Sequence, residues 1–156
     1  PPSILTPIPW FMSIDPYSKD YQRYAAVAIL SAKDKAPFLE PHILWPDTQP
    51  NNFTKWAMQH NVIVHFHRLS MMDELVHLKE KGVVKDGWFR TALGAFGRYD
   101  VCSVYRGWGG KSEYILYTDV DVIFMSQPIP FTIPHPAILA IGPESSKNTK
   151  TNSGVM

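Results

Sequence analysis

Apolar positions along the chain fall into short runs separated by polar, proline-bearing or glycine-bearing stretches. Tyr24 to Leu30 is nearly continuous in apolar residues between polar flanks, which predicts a strand buried on both faces of a parallel sheet. Ser31-Ala32-Lys33-Asp34 then reads as a turn, with Asp34 placed to cap a helix that runs to about Trp45 and stops at Pro46. Phe53 to His60 has helical spacing and Val62 to Phe66 is β-branched and apolar, so a helix feeds a second strand. Ser70, with Asp73 and Glu74 in the first turn, Met71, Leu75 and Leu78 on one face and Gly82 at the end, marks a capped amphipathic helix.

Trp88 to Phe96 predicts a further helix, followed by a polar connection that contains Gly107, Gly109 and Gly110. Tyr114 to Thr118 is a buried strand that runs into Asp119-Val120-Asp121 and continues through Val122-Ile123-Phe124. Ala137 to Ile141 predicts another strand, and Gly154-Val155-Met156 the opening of one more. The first 20 residues carry Pro1, Pro2, Pro7, Pro9 and Pro16; prolines lack the backbone donor, so this stretch predicts an extended arm ahead of a single domain over 21–156. Strands alternating with helices imply an open, largely parallel α/β sheet with right-handed crossovers. Ligands of such sheets gather outside the carboxyl ends of the strands, which is where Asp119 and Asp121 fall.

Composition narrows the class. A chain of 156 residues, 45% hydrophobic and 19% charged, suits one globular domain with a real core. Its formal net charge of +1 provides no global field for nucleic acid or an anionic membrane. A single cysteine, Cys102, leaves no intramolecular disulfide and no cysteine-built zinc site. No apolar run approaches the roughly 20 residues that span a bilayer, and Pro1-Pro2 does not open a signal sequence; the compartment stays undetermined, cytoplasmic or Golgi-lumenal according to the parent chain.

Two carboxylates one residue apart, emerging from a hydrophobic strand, are costly to ionise together unless a cation or hydrogen-bond donors compensate them. Oxygen ligands without a nearby cysteine or paired histidines suit magnesium or manganese, which bind through one or two carboxylates while phosphate oxygens and water complete the shell. Asp-x-Asp in a loop is often only a pair of solvated turn residues. Here the preceding buried strand and the apolar Val120, Val122, Ile123 and Phe124 set it apart from such a turn.

The segment Tyr114-Ile-Leu-Tyr-Thr-Asp-Val-Asp-Val-Ile-Phe124 resembles the strand and Asp-x-Asp motif of GT-A fold glycosyltransferases, in particular glycosyltransferase family 8, the glycogenin and lipopolysaccharide galactosyltransferase group. Thr151-Asn-Ser-Gly-Val-Met156 is similar to the Asn-Ser-Gly segment of these enzymes, Trp88-Phe-Arg90 to a donor-contacting arginine position, and Val27 to Asp34 to the first strand and its base-binding turn. The resemblance spans roughly residues 24–156. It implies a GT-A fold and transfer of a sugar from a nucleotide-diphosphate donor, UDP-sugar above all, to a hydroxyl of a carbohydrate, lipid or protein, with Mn2+ or Mg2+. Asp121 would be a metal ligand, and Asp119 would ligate the metal or bind the ribose. Leu30, Ser31 and Ala32 would line the uracil pocket, Arg90 would face the sugar or diphosphate, Val120 would lie against the donor, and Asn152 and Ser153 would border the donor sugar. The resemblance places a third metal ligand and acceptor-side residues after the Asn-Ser-Gly segment, so the chain reads as a GT-A domain lacking its C-terminal part, and no catalytic base or nucleophile is identified.

Other residues carry weaker signals. His65 and His67 share a strand face and could hold a metal, but without a third ligand nearby they read better as hydrogen-bonded in place. His135 lies between prolines, with no spacing that demands a role. Asn52-Phe53-Thr54 matches an N-glycosylation acceptor. Two other functions compete with the transferase. A haloacid-dehalogenase-like phosphatase would use the first aspartate as nucleophile, but needs more chain after its motif than the 35 residues beyond Asp121. A non-catalytic nucleotide-sugar-binding module fits the same residues.

Overall fold

A computed structural model describes residues 7–126, 142–143 and 151–152. The order of elements is β1 (Ile8–Ser13), α1 (Lys19–Lys35), β2 (Leu39–Trp45), α2 (Asn52–Gln59), β3 (Ile63–Phe66), α3 (Met72–Glu80), α4 (Asp86–Phe96), a 3-10 turn (Gly97–Tyr99), α5 (Val101–Gly107) and β4 (Leu116–Tyr117). A separate two-stranded antiparallel pair joins β5 (Gly142–Pro143) to β6 (Thr151–Asn152). The main sheet has four parallel strands in the order β3-β2-β1-β4 and is flanked by helices, an α/β architecture compatible with a Rossmann-like fold.

The start of the chain differs from the sequence-based expectation. Residues 8–13 are not part of an extended arm but form an interior strand, with Trp10, Phe11 and Met12 fully buried. Pro9 is tolerated because of the direction its nitrogen faces. Ile8 donates to Phe38 on the β2 side and Phe11 accepts from Thr118 on the β4 side, so by alternation Pro9 faces β4. Pairing with β4 begins only at Trp10, and the missing donor breaks no ladder bond. The same holds for Pro41 in β2. The Trp45 carbonyl accepts from His67, so alternate residues back to Pro41 face β3, whose pairing starts at His42.

Tyr24 to Leu30, expected to be the first strand, lies within α1, and the stretch expected to be a helix up to Trp45 contains β2. Three alanines favour helix, and Ala25, Ala28, Ile29 and Ala32 are the buried positions, which is helical periodicity rather than a two-sided strand. Ser18 caps α1 by accepting from the Tyr21 amide, and Lys33 and Lys35 lie in its last turn, a favourable arrangement for the helix dipole. Pro37 and Pro41 cannot lie inside a helix, which leaves Leu39–Trp45 to the sheet.

The middle of the chain matches expectation: α2, β3, α3 and α4 appear where their periodicity puts them. Ser70 does not cap α3, however. Its hydroxyl and amide both donate to Asp100, and Met71 occupies the cap position without a side-chain bond. The glycine-bearing connection is preceded by a helix, α5, which sequence periodicity did not reveal. Residues 122–124 leave the sheet instead of extending β4. The strands expected at 137–141 and 154–156, and His135, lie outside the described residues.

Both faces of the sheet are covered. Trp10, Met12, Ile43 and Trp45 pack with α1, Phe53 and Ala57 on one side; Phe11 packs with Val101 and Tyr105, and Leu44 with Leu75, Ala92 and Leu93, on the other. Trp10 Nε1 donates to Thr118 Oγ1 at 2.9 Å, tying β1 to β4 just before the chain reaches Asp119. No described helix is long and apolar enough to cross a membrane.

Candidate functional site

The strand order runs outward to β3 on one side of β1 and to β4 on the other. Connections leave the sheet in opposite directions at such a point, and the divergence opens a crevice at the carboxyl ends of β1 and β4. A cavity of about 180 Å³ occupies this position. Ser13 and Asp15 line it from the end of β1, Asp119, Val120 and Asp121 from the end of β4, and Thr91, Gly94, Ala95 and Arg98 from α4 and the following turn, with Tyr21 of α1 at its edge.

Two glycines let the helical side press this close. A Cβ at Gly97 would lie 2.0 Å from Ser13 Oγ, and one at Gly94 would lie 2.9 Å from the Asp15 backbone nitrogen. Neither distance is compatible with a side chain in the present packing. Glycine at these positions therefore lets α4 and the turn after it close directly against Ser13 and Asp15.

Its electrostatics come from three carboxylates and a guanidinium. Arg98 Nη2 donates to Asp119 Oδ1 at 3.2 Å while its Nε donates to the Ala95 carbonyl, and the guanidinium lies over the Tyr117 ring. Burial raises the Asp119 carboxyl above the usual carboxylate range, Arg98 opposes that, and Asp121 adds to it. Burial likewise raises Asp15, against the Tyr17 amide that donates to Oδ1 at 2.9 Å and the positive charge of Arg90. Tyr117, buried and near Asp119, is pushed up to about 12 and stays a neutral phenol. Ser13 Oγ is buried with no hydrogen-bond partner among the described residues, an open donor and acceptor at the cavity wall.

The oxygen-only donor set of Asp119 and Asp121 fits a hard divalent cation. Among the described residues no group of three or more His, Cys, Asp or Glu is arranged to hold a metal. The chain would supply two carboxylates, with ligand phosphates and water completing the shell, as magnesium commonly requires. Asp119 would exchange its Arg98 partner for the ion.

The residues expected from sequence divide into those the fold brings together and those it does not. Asp119, Val120 and Asp121 share the cavity. Leu30, Ser31 and Ala32 do not end a strand: they lie inside α1, where Ala32 is core and Ser31 Oγ accepts from the Phe124 amide. The position the resemblance gave to them, after the first strand, falls instead to Ile14 and Asp15. Arg90 is exposed on α4 beside the Tyr17 ring and is not among the lining residues. Asn152 lies in β6; Ser153 lies outside the described residues. Asp15, Ser13 and Arg98 were missed. Recognising β1 would have exposed the first two, since an acid after an apolar strand is the signal that revealed Asp119.

Elsewhere, His65 and His67 are hydrogen-bonded in place, to His42 and Asp100. Thr54, in the Asn52-Phe53-Thr54 sequon, is fully buried and closes the α2 capping box with Asn51. The chain matches no protein-family model, no curated protein and no solved structure.

Proposed function

We propose that this chain is the nucleotide-sugar-binding part of a metal-dependent glycosyltransferase of GT-A type, transferring a sugar from a UDP-sugar to a hydroxyl acceptor with Mn2+ or Mg2+. The observation that supports it most is the meeting of Asp119 and Asp121 with Asp15 in one cavity at the β1–β4 crevice. Three acids around so small a space call for a cationic or hydroxyl-bearing ligand.

Asp119 and Asp121 would hold the ion. When bound, it would offset charge on the diphosphate leaving group as the anomeric bond breaks. Arg98, released from Asp119, stays within the cavity as a fixed positive group suited to phosphate oxygens. Ser13 Oγ, which has no partner among the described residues, would hydrogen-bond the ligand, and Asp15 would accept from donors such as ribose hydroxyls.

The test is donor hydrolysis. Incubated with manganese and a panel of UDP-sugars, a transferase is expected to release some free sugar and UDP, and Asp121→Asn is expected to release none. Saturable donor binding with no hydrolysis or transfer would instead support a non-catalytic module. No binding of any UDP-sugar would overturn the reading.

A further inference from the structure

A second hollow, of about 590 Å³, lies away from the acidic cavity, between the end of β3 (His65, Phe66, His67) and α5 (Ser103, Gly107, Trp108). Its volume falls within the range of about 300–1,000 Å³ typical of small-ligand sites. Trp108 lines it and is half-exposed. Trp108 is nevertheless held in place, edge to face with His42 and His65 at centroid distances of 5.3 and 5.7 Å.

The hydrogen bonds behind this wall fix what it presents. The carboxylate of Glu40 accepts from His42 Nε2, which makes His42 Nδ1 the acceptor for His65 Nε2–H at 2.9 Å. The neutral His65 ring therefore keeps Nδ1 as an unshared lone pair. Burial, with His42 and His67 nearby, lowers His65 to about 4 and keeps that ring neutral near pH 7. His67 Nε2 donates to Asp100 Oδ2, which leaves Nδ1 as the ring's other hydrogen-bonding atom. Ser103 Oγ donates to the Asp100 carbonyl, so it too has lone pairs to offer. Asp100 itself is engaged by Ser70 and His67, and among the described residues no carboxylate lines the hollow to favour a cation.

An aromatic platform beside several hydrogen-bonding side chains matches a neutral ligand that has an apolar face and several hydroxyls. We propose that this hollow binds a saccharide, one pyranose ring lying against Trp108 with its hydroxyls hydrogen-bonded to His65, His67 and Ser103. The site stands apart from the donor cavity and does not depend on the function proposed for it.

Titration with malto-, cello-, chito- and mannotetraose, followed by NMR of the Trp108 indole N–H and the histidine ring protons, tests this. At least one is expected to give saturable shifts at millimolar concentration. Trp108→Ala should weaken binding about ten-fold or more, equivalent to about 1.4 kcal/mol, and Trp108→Phe should recover most of it. Ser103→Tyr, on the exposed side of α5, is expected to block the hollow without disturbing the packed rings, which keeps the test valid if Trp108→Ala misfolds. UDP with manganese should leave the shifts unchanged, so failure at the donor cavity and failure here are separately visible. The proposal is overturned if none of the four shifts these signals, if Ser103→Tyr binds like the parent chain, or if zinc alone saturates His65 and His67 while no sugar binds.

Discussion

Arg98 Nη2 stands 3.2 Å from Asp119 Oδ1 with only 14% of the arginine side chain exposed against 41% for the aspartate. The pair closes the carboxyl end of β4 and gives Asp119 a counter-charge before any cation arrives. A metal that takes Asp119 competes with this guanidinium. The pair is partly solvated and so contributes on the order of 1 kcal/mol. Arg98→Gln is therefore expected to tighten manganese binding to the donor-free chain about five-fold, while weakening binding of the metal–UDP complex, for which Arg98 would supply a positive group. Manganese titration by electron paramagnetic resonance, with and without UDP, checks both signs. Equal weakening in both conditions would mean that Arg98 supports the ion rather than competing with it.

Asp15 provides a pH test. Its folded carboxyl lies above the ordinary 3.8, so between 3.8 and the raised value the folded state binds more protons than the unfolded one, and stability falls as pH rises through that window. Asp15→Asn removes this cost while its side-chain oxygen still accepts from the Tyr17 amide. Urea midpoints should favour the variant most above the window and show the advantage shrinking toward pH 4. A variant less stable at pH 7 than the parent would contradict this.

The histidine pair has the opposite slope. His65 is held neutral to about 4 against an ordinary 6.5, and His42 is lowered too. The unfolded chain takes up protons first as pH drops, so the stability due to this pair is present above 6.5 and lost progressively toward 4, by about 3 kcal/mol at most for His65. His65→Gln should flatten the stability profile over that interval, as measured by urea denaturation at a series of pH values.

Gly97 packs directly against Ser13, which lines the cavity. Gly97→Ala would bring a methyl 2.0 Å from Ser13 Oγ and 2.7 Å from Ser13 Cβ, and overpacking of this kind costs about 1–3 kcal/mol. Ser13→Gly in the same chain removes both clashing atoms and should return much of the loss. If Gly97→Ala alone is neutral in urea denaturation, the close approach is not a fixed feature of the fold.

The sheet was partly legible from sequence, for identifiable reasons. Val62 to Phe66 read correctly because β-branched or apolar residues ended at clear polar boundaries, whereas the run into Asp119 shows as strand only at Leu116–Tyr117, with residues 122–124 outside the sheet. β1 was hidden by Pro9, which is harmless only because β4 does not yet pair there, a fact of register rather than composition. The Ala-rich run in α1 then filled the role of the missing strand, which moved the expected base-binding turn to Leu30, Ser31 and Ala32. Once β1 is restored, the same rule that singled out Asp119 singles out Asp15. Arg98 had no comparable signal: its role depends on the 3-10 turn that carries it back over β4.

Isothermal titration of UDP-sugar into the chain and into Asp121→Ala, each with manganese and with chelator, addresses the central claim most directly. The parent chain is expected to bind only with manganese, and the variant to lose about ten-fold or more in affinity together with the metal dependence. Donor binding that is indifferent to manganese and unchanged by Asp121→Ala would contradict a metal-bridged diphosphate at this cavity.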